Sequence, residues 1–471
     1  MTDKFSLDFV SQATHGTIKT SGSTHFNRVE TDSRKDLSGS LFIALKGDQF
    51  DGHHFIEKAI EAGAAGVLTH QWSEKLKAYE GRVSIILVKD TLLALQGLSH
   101  QWRVSNPFKV VGITGSNGKT TTKEMAYQIL KKEFKVSASP GSFNNHWGVP
   151  LSLLQADADD DVVLQEMGMN HKGEITKLCQ LARPDVSVVT MIGSAHIGEL
   201  GSIEAIRDAK NEIYVNSPEA LHIYNLDNEF TLDLYTKALK NGFPKNRTLT
   251  FSSFNQEADI YLRSGSFMAE GLEVSGFIRG EPVQFQLKAF GRQAVVNLLA
   301  ASAIGLALGL SPKKLIEALS SLEFQSWGRN QRLKLKSGSS IIFDGYNANP
   351  ESTRMLLKNL YELESPGEKI FIMGDMLELG DFSESAHREI AEFAGQVGLS
   401  KIWYFGSHQK SVKEGLVKSG FSGKSYFSKD FDEVLSKELL SGLGPEDVVA
   451  LKASRGSRVE RVLHSWGVDG F

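Results

Sequence analysis

Lys119 closes a glycine-punctuated run, Thr114-Gly115-Ser116-Asn117-Gly118-Lys119-Thr120-Thr121-Thr122. The run follows the apolar stretch Val110-Val111-Gly112-Ile113 and leads into a helix-like segment, Lys123 to Lys132. Glycines let the backbone turn tightly, so that consecutive N–H groups point inward at phosphate oxygens. The start of a helix adds partial positive charge. Lys119 can then reach terminal phosphates, and the Thr120 hydroxyl can ligate Mg²⁺. The strict Walker spacing asks for glycine where Ile113 stands; here the glycines fall at positions 112, 115 and 118. A bare Gly-Lys-Thr can be an incidental turn. Strand, loop and helix in this order make it a phosphate loop.

Downstream stand further groups able to do chemistry. Glu166 follows the run Val162 to Gln165, and a carboxylate at the carboxyl end of a parallel strand projects into the ligand crevice. It is a hard oxygen ligand suited to Mg²⁺. His196 follows the next strand-like run, and Lys210 lies in a helix-like stretch, Ile206 to Ile213. Singly, each has a plain alternative: a surface or capping group for Glu166 and His196, a solvated cation for Lys210. Their joint order after a phosphate loop argues for one site. Asn144-Asn145 offer amides suited to a substrate carboxylate or amide, or else a turn before Pro150.

The elements that must position these residues can be read from the pattern. At 471 residues the chain suggests about three domains. Residues 1–90 mix short strand-like runs (41–45, 84–88) with a helical stretch over 55–62. Residues 91–104 read as a helix ended by Asn106-Pro107. Apolar runs at 109–113, 161–164, 186–191 and 221–224 then alternate with helix-like segments, which predicts a mostly parallel sheet covered by helices. Residues 259–288 alternate like strands with glycine turns, a β excursion, and 294–308 form a long apolar helix. A second alternating series, with strands at 340–343, 369–373, 401–405 and 447–451, predicts a Rossmann-like α/β domain. The expected domains are therefore 1–90, 91–322 and 323–471, all α/β.

Composition narrows the class. The chain is 41% hydrophobic and 23% charged, with a net charge of -4 and no global basic field to invite nucleic acid. Cys179 is the only cysteine, so no intrachain disulfide can form, which fits a reducing compartment. No signal-peptide core or membrane-length apolar run is present. The expectation is a cytoplasmic protein without membrane insertion.

Thr114-Gly115-Ser116-Asn117-Gly118-Lys119-Thr120-Thr121 resembles the TGxxGKTT loop of the Mur ligase superfamily, including its departure from Walker spacing. The segments around Glu166 and His196 resemble that family's ELGxNHxGEI and NxxxAHLExxGS stretches, whose Glu and His sit at the second Mg²⁺. Ala209-Lys210-Asn211-Glu212-Ile213 resembles AKxEI, in which the lysine is usually carbamylated. A lysine made neutral by nearby metal charge can add CO₂. The resemblance implies catalytic roles for Lys119, Glu166, His196, Lys210 and an arginine, and metal ligation by Thr120, Glu166 and His196. It implies ATP and two Mg²⁺ ions. The implied chemistry is amide-bond formation: ATP and a carboxylate form an acyl phosphate, which an amine attacks.

Further segments point to one branch of the family. Thr31-Asp32-Ser33-Arg34, the stretch 41–47 with Lys46, and Phe50-Asp51-Gly52-His53 resemble the domain that holds UDP, which folylpolyglutamate synthases lack. Ser33, Arg34, Lys46 and Asp51 are the expected contacts there, arginine suiting a diphosphate through its planar fork. The segments 344–350 (DGYNANP), 374–380 (GDMLELG) and 452–458 (KASRGSR) resemble the branch that joins D-alanyl-D-alanine to UDP-N-acetylmuramoyl-tripeptide. That resemblance places Tyr346 and Asn347 at ATP and Lys452, Ser454 and Arg455 at substrate, and Asn144-Asn145 resemble the family's N-x-N-N-x-x-G-V-P loop, which lies near the muramyl substrate. The neighbouring branch, which adds the third amino acid, carries a different signature there. Two departures stand out. The family's G-R-H-N-x-x-N reads Gly291-Arg292-Gln293-Ala294-Val295-Val296-Asn297, which keeps Asn297 and leaves the adenine-side contacts open. Spacing to Tyr346 favours Arg329 as the γ-phosphate arginine, with Arg332 the alternative. The chain is read as a monomer, and the third residue of the tripeptide, diaminopimelate or lysine, is left open.

Overall fold

The computed structural model describes residues 4–468 apart from 48–49, 269–270, 323 and 325. The apolar runs assemble into three main sheets. The first is five-stranded, in the order 17–20, 84–87, 66–69, 41–43, 29–30, parallel except for 17–20 at one edge. The second has nine strands, and the phosphate strand Lys109–Thr114 lies inside it, between Val162–Glu166 and Val186–Val189. From Lys109–Thr114 the chain crosses first to one side of the sheet, to Val136–Ala138 and Val162–Glu166, and then to the other. The carboxyl end of Lys109–Thr114 is thus the switch point where an open α/β sheet leaves a crevice. The expected β excursion is an antiparallel extension of the same sheet, strands Ile260–Met268, Gly271–Ile278 and Glu281–Leu287.

The third sheet is six-stranded, parallel from 340–344 through 448–452, 369–373, 401–405 and 424–428, with antiparallel 331–334 at one edge. In the second and third sheets the sequence reading missed four strands, Val136–Ala138, Thr248–Ser252, Gln331–Lys334 and Lys424–Ser428. Three of these, Val136–Ala138, Gln331–Lys334 and Lys424–Ser428, lie at sheet edges and bury neither face fully, so their apolar signal is weak.

The helix Thr91–Ser105 joins the first two sheets. Its buried Leu95, Leu98 and Trp102 share one core with Phe5 and Val10 on one side and Leu151, Leu153 and Leu178 on the other. The Phe5 and Trp102 rings meet edge-on at 4.7 Å, and Trp102 Nε1 donates to Ala156 O at 3.0 Å. The third sheet has its own two apolar layers, one on each face. The helix Gln293–Ala307 is buried nearly all round, as its small and apolar residues demand, and lies against Lys119–Leu130.

Candidate active site

The phosphate helix begins at Lys119 itself, four residues earlier than expected, because Gly118 caps it in the left-handed region (φ 87°). A side chain at Gly118 would meet Asn297 Oδ1 at 2.3 Å, and one at Gly115 (φ 149°) would meet Thr190 Oγ1 at 2.0 Å. Both positions therefore require glycine. Thr190 Oγ1 donates to Asn117 O at 2.6 Å, and Ser116 Oγ exchanges hydrogen bonds with the Gly193 backbone at 2.9 and 3.0 Å. The loop is thus moulded by the segment after Val186–Val189. Lys119 Nζ donates to Gly115 O at 2.9 Å. Burial lowers its pKa, the charge of Glu166 acting in the opposite sense.

Glu166 ends its strand fully buried. Its two oxygens accept from Thr120 Oγ1 (2.7 Å) and Asn144 Nδ2 (2.8 Å). Thr120 Oγ1 in turn accepts from Arg329 Nη2 at 2.8 Å. The Arg329 guanidinium lies 4.1 Å from the Tyr346 ring centroid, and Tyr346 Oη donates to Ser142 Oγ at 2.7 Å. Of the two candidate arginines, Arg329 is the one at the phosphate loop. Arg332 instead lines a cavity of about 190 Å³ with Thr121, Gln293, Asn297, Arg329 and Asn330. Gln293 Oε1, where the family often has histidine, accepts from Asn359 Nδ2 at 2.6 Å.

His196 is a non-glycine residue at φ 69°. Burial, then the charges of Lys119 and Lys210, push its pKa down to about 3, so the ring is neutral. Lys210 is not the solvated cation its helix position allowed. It is 1% exposed, and among the described residues no hydrogen bond or ion pair reaches its Nζ. Burial and the Lys119 charge lower its pKa strongly.

Other expected contacts are used within the protein. Lys452 is buried, and its Nζ donates to Asp344 Oδ2 (2.5 Å) and Asn347 O (2.8 Å), so it braces the turn after Ser340–Asp344. Asn347 Oδ1 accepts from Ala348 N at 2.9 Å within the same turn. Ser454 Oγ accepts from Leu377 N (2.9 Å) and donates to Ala348 O (3.2 Å). Arg455 lies over Trp327 at 4.3 Å and pairs with Glu460 at 3.0 Å. Asn145 Oδ1 accepts from Gly148 N at 2.9 Å, which is the turn role. Asp51 Oδ1 accepts from His53 N (3.0 Å) and meets His53 Nδ1 at 2.5 Å, a local cap. Arg34 is exposed, its fork paired with Asp32 at 2.9 and 2.8 Å; those hydrogen bonds pull the Asp32 carboxyl to about 2. Ser33 is buried beside it, and Lys46 bridges its backbone to Asp51. Among the described residues no hydrogen bond joins these four N-terminal positions to the phosphate loop.

Sequence reading missed Ser142, Thr190, Asn349, Glu351 and Glu378. Asn349 and Glu378 lie in segments quoted above as branch markers, which was the available signal. Asn349 exchanges amide hydrogen bonds with Asn117 at 2.8 and 3.3 Å. The Glu351 carboxylate accepts from Ser194 N (2.9 Å) and Ser194 Oγ (2.8 Å). A separate group, Asp375, His387 and His408, has ligand-type atoms within 4.8 Å of one another. His387 Nε2 accepts from Met376 N (3.0 Å) and Nδ1 meets Ser383 O (2.7 Å), so neither nitrogen is available to a metal.

Three family profiles match in chain order: "Mur ligase family, catalytic domain" over 25–103, "Mur ligase middle domain" over 113–305 and "Mur ligase, glutamate ligase domain" over 328–455. A curated relative from Bacillus subtilis (strain 168), named UDP-N-acetylmuramoyl-tripeptide–D-alanyl-D-alanine ligase, is 35% identical over 442 residues, 93% of each chain. The chain belongs to the Mur ligase family. Among solved structures, a MurF from Acinetobacter baumannii superposes on this Mur ligase with a TM-score of 0.85 at 28% identity, covering 98% of both chains. A MurF ligase from Thermotoga maritima in complex with ADP gives 0.79 at 30% identity, covering 93% of this chain and 96% of that one. No helix of this Mur ligase is long and apolar enough to cross a membrane, among the described residues.

Proposed function

We propose that this Mur ligase joins D-alanyl-D-alanine to UDP-N-acetylmuramoyl-tripeptide in peptidoglycan precursor synthesis, with ATP as co-substrate. The reading is supported by full-length likeness to ligases of that name and by one chain of contacts, Arg329 to Thr120 to Glu166 to Asn144. The domains are taken as 1–90, 91–322 and 323–471, the first holding UDP through Ser33, Arg34, Lys46 and Asp51, and the enzyme as a cytoplasmic monomer.

The site suits Mg²⁺. Glu166 is a buried carboxylate whose hydrogen-bond partners are both uncharged, and His196 is a neutral imidazole with a buried Nδ1 that lacks a hydrogen-bond partner. A charge buried without a bonded counter-ion calls for one. Thr120, Glu166, His196 and a carbamate on Lys210 would hold two Mg²⁺ ions, which screen phosphate charge when bound. The loop 115–121 cradles the β- and γ-phosphates with its N–H groups, and Lys119 bonds their oxygens. Arg329 holds charge that develops on the transferred phosphoryl group. The substrate carboxylate attacks the γ-phosphorus and releases ADP; the dipeptide amine then attacks the acyl carbon and releases phosphate. Arg329, Tyr346 and Asn349 cover the loop and exclude water that would hydrolyse the acyl phosphate.

Phosphate release with UDP-muramoyl-tripeptide, assayed with and without D-alanyl-D-alanine, tests the reading. Release that depends on the dipeptide is expected, and dipeptide-independent or absent release refutes it. Diaminopimelate- and lysine-containing tripeptides run side by side identify the third residue.

A further inference from the structure

His196 is gripped by the third sheet. Its loop, residues 192–202, receives Glu351 at Ser194, while Gly198 packs directly on the Glu378–Gly380 turn. A Cβ at Gly198 would lie 2.8 Å from Gly380 N and 2.9 Å from Leu379 C, so the two backbones touch. At the centre of this contact Glu378 Oε2 stands 3.3 Å from His196 Nδ1. Both residues are non-glycine residues in the left-handed region, at φ 65° and 69°. Such strain collects where surrounding structure forces a functional placement. Nδ1 is buried and has no aligned hydrogen-bond partner, so a small rotation of the Glu378 carboxylate supplies the acceptor it lacks.

We propose that Glu378 is a positioning residue for His196. Its carboxylate takes the Nδ1 proton's hydrogen bond, fixes the tautomer with the lone pair on Nε2, and aims that lone pair at the metal. A histidine that ligates through one nitrogen is commonly oriented by an acceptor on the other. Glu378 reaches His196 from the loop after Lys369–Met373, outside the nucleotide-binding sheet. The histidine ligand is therefore set only when the third sheet is docked on the loop 192–202, and metal affinity depends on that docking. The inference rests on the reading of His196 as a metal ligand.

The test is Mn²⁺ binding to the full chain with a non-hydrolysable ATP analogue, followed by electron paramagnetic resonance. Wild type, Glu378→Ala, Glu378→Gln, His196→Ala and the Glu378→Ala/His196→Ala double variant are compared. Glu378→Ala is expected to weaken binding of one Mn²⁺ by roughly 10–100-fold. Glu378→Gln, whose amide oxygen still accepts, is expected to fall between it and wild type. The double variant should bind no more weakly than His196→Ala alone. A carboxylate that only braces the loop would lower thermal stability and leave Mn²⁺ affinity unchanged. Wild-type affinity in both Glu378 variants, beside a loss in His196→Ala, overturns the proposal. Wild-type affinity in His196→Ala removes the metal role of the histidine and the proposal with it.

Discussion

Asn117 and Asn349 exchange amide hydrogen bonds at 2.8 and 3.3 Å across 232 positions of sequence. One sits at the tip of the phosphate loop. The other caps the helix Pro350–Glu362 through a reciprocal bond with Ser352. The phosphate loop and the third sheet are thus registered by side chains at the tip of that loop. This geometry, with the groups around it, fixes what substitutions should do.

Lys119→Ala should lower kcat by roughly 10³-fold or more, because it removes the ammonium proposed to bond the β- and γ-phosphate oxygens from within the loop. The fold should persist, since among the described residues its side chain hydrogen-bonds only Gly115 O. Dipeptide-dependent phosphate release is the measurement, and near-normal turnover would remove its assigned role.

Arg329 and Arg332 should separate kinetically. Arg329→Ala removes a group bonded to Thr120 and should lower kcat roughly 10²–10³-fold. Arg332→Ala alters the 190 Å³ cavity and should raise the KM for ATP roughly 10-fold with little change in kcat. Steady-state kinetics in ATP distinguishes the two, and the reverse pattern would exchange their roles.

Lys210 should carry a carbamate. Incubation with ¹³C-bicarbonate should give a carbamate carbon resonance that is missing from Lys210→Ala. An identical spectrum in the two proteins would leave Lys210 a buried neutral amine, which its surroundings also permit.

Lys452→Ala should destabilise the protein by about 3–5 kcal/mol, because it strands the buried Asp344 carboxylate. Denaturant unfolding measures this. Lys452→Ala/Asp344→Ala should be less damaging than the sum of the single changes.

Stability should fall on acidification. Burial lowers the pKa of His222 and of His387 from 6.5 to about 4. The unfolded chain therefore binds more protons than the native one between those values. Stability is complete above about pH 6.5 and is lost toward pH 4, by roughly 1.4 kcal/mol per pH unit for each histidine. Unfolding titrations of His222→Gln and His387→Gln should each show a shallower slope than wild type.

The phosphate loop and Glu166 were legible because their chemistry is local: glycine spacing in one case, the end of an apolar run in the other. The burial of Lys210 left a trace as well. Ile206, Ala209, Lys210 and Ile213 share one buried helix face, so the lysine interrupts an apolar stripe. The partners of Lys452 and Asp51 within the fold were not legible, because the resemblance marked both as important without showing what each touches. Asp344 lies 108 positions from Lys452, and only folding brings the pair together. Glu378 lay in a marked segment too, but its approach to His196 appears only on folding.

The helix Thr91–Ser105 ties two of the sheets together. The first and second share an apolar core through Phe5 and Trp102, so separating them would expose that core to water. The third sheet meets the phosphate loop mainly through polar side chains, which water can replace when the two separate. A two-piece clamp with its jaw at the phosphate loop is the expected consequence. The end expected to grip UDP should then stay still when that jaw opens, so that ADP and phosphate leave without the peptide's anchor letting go.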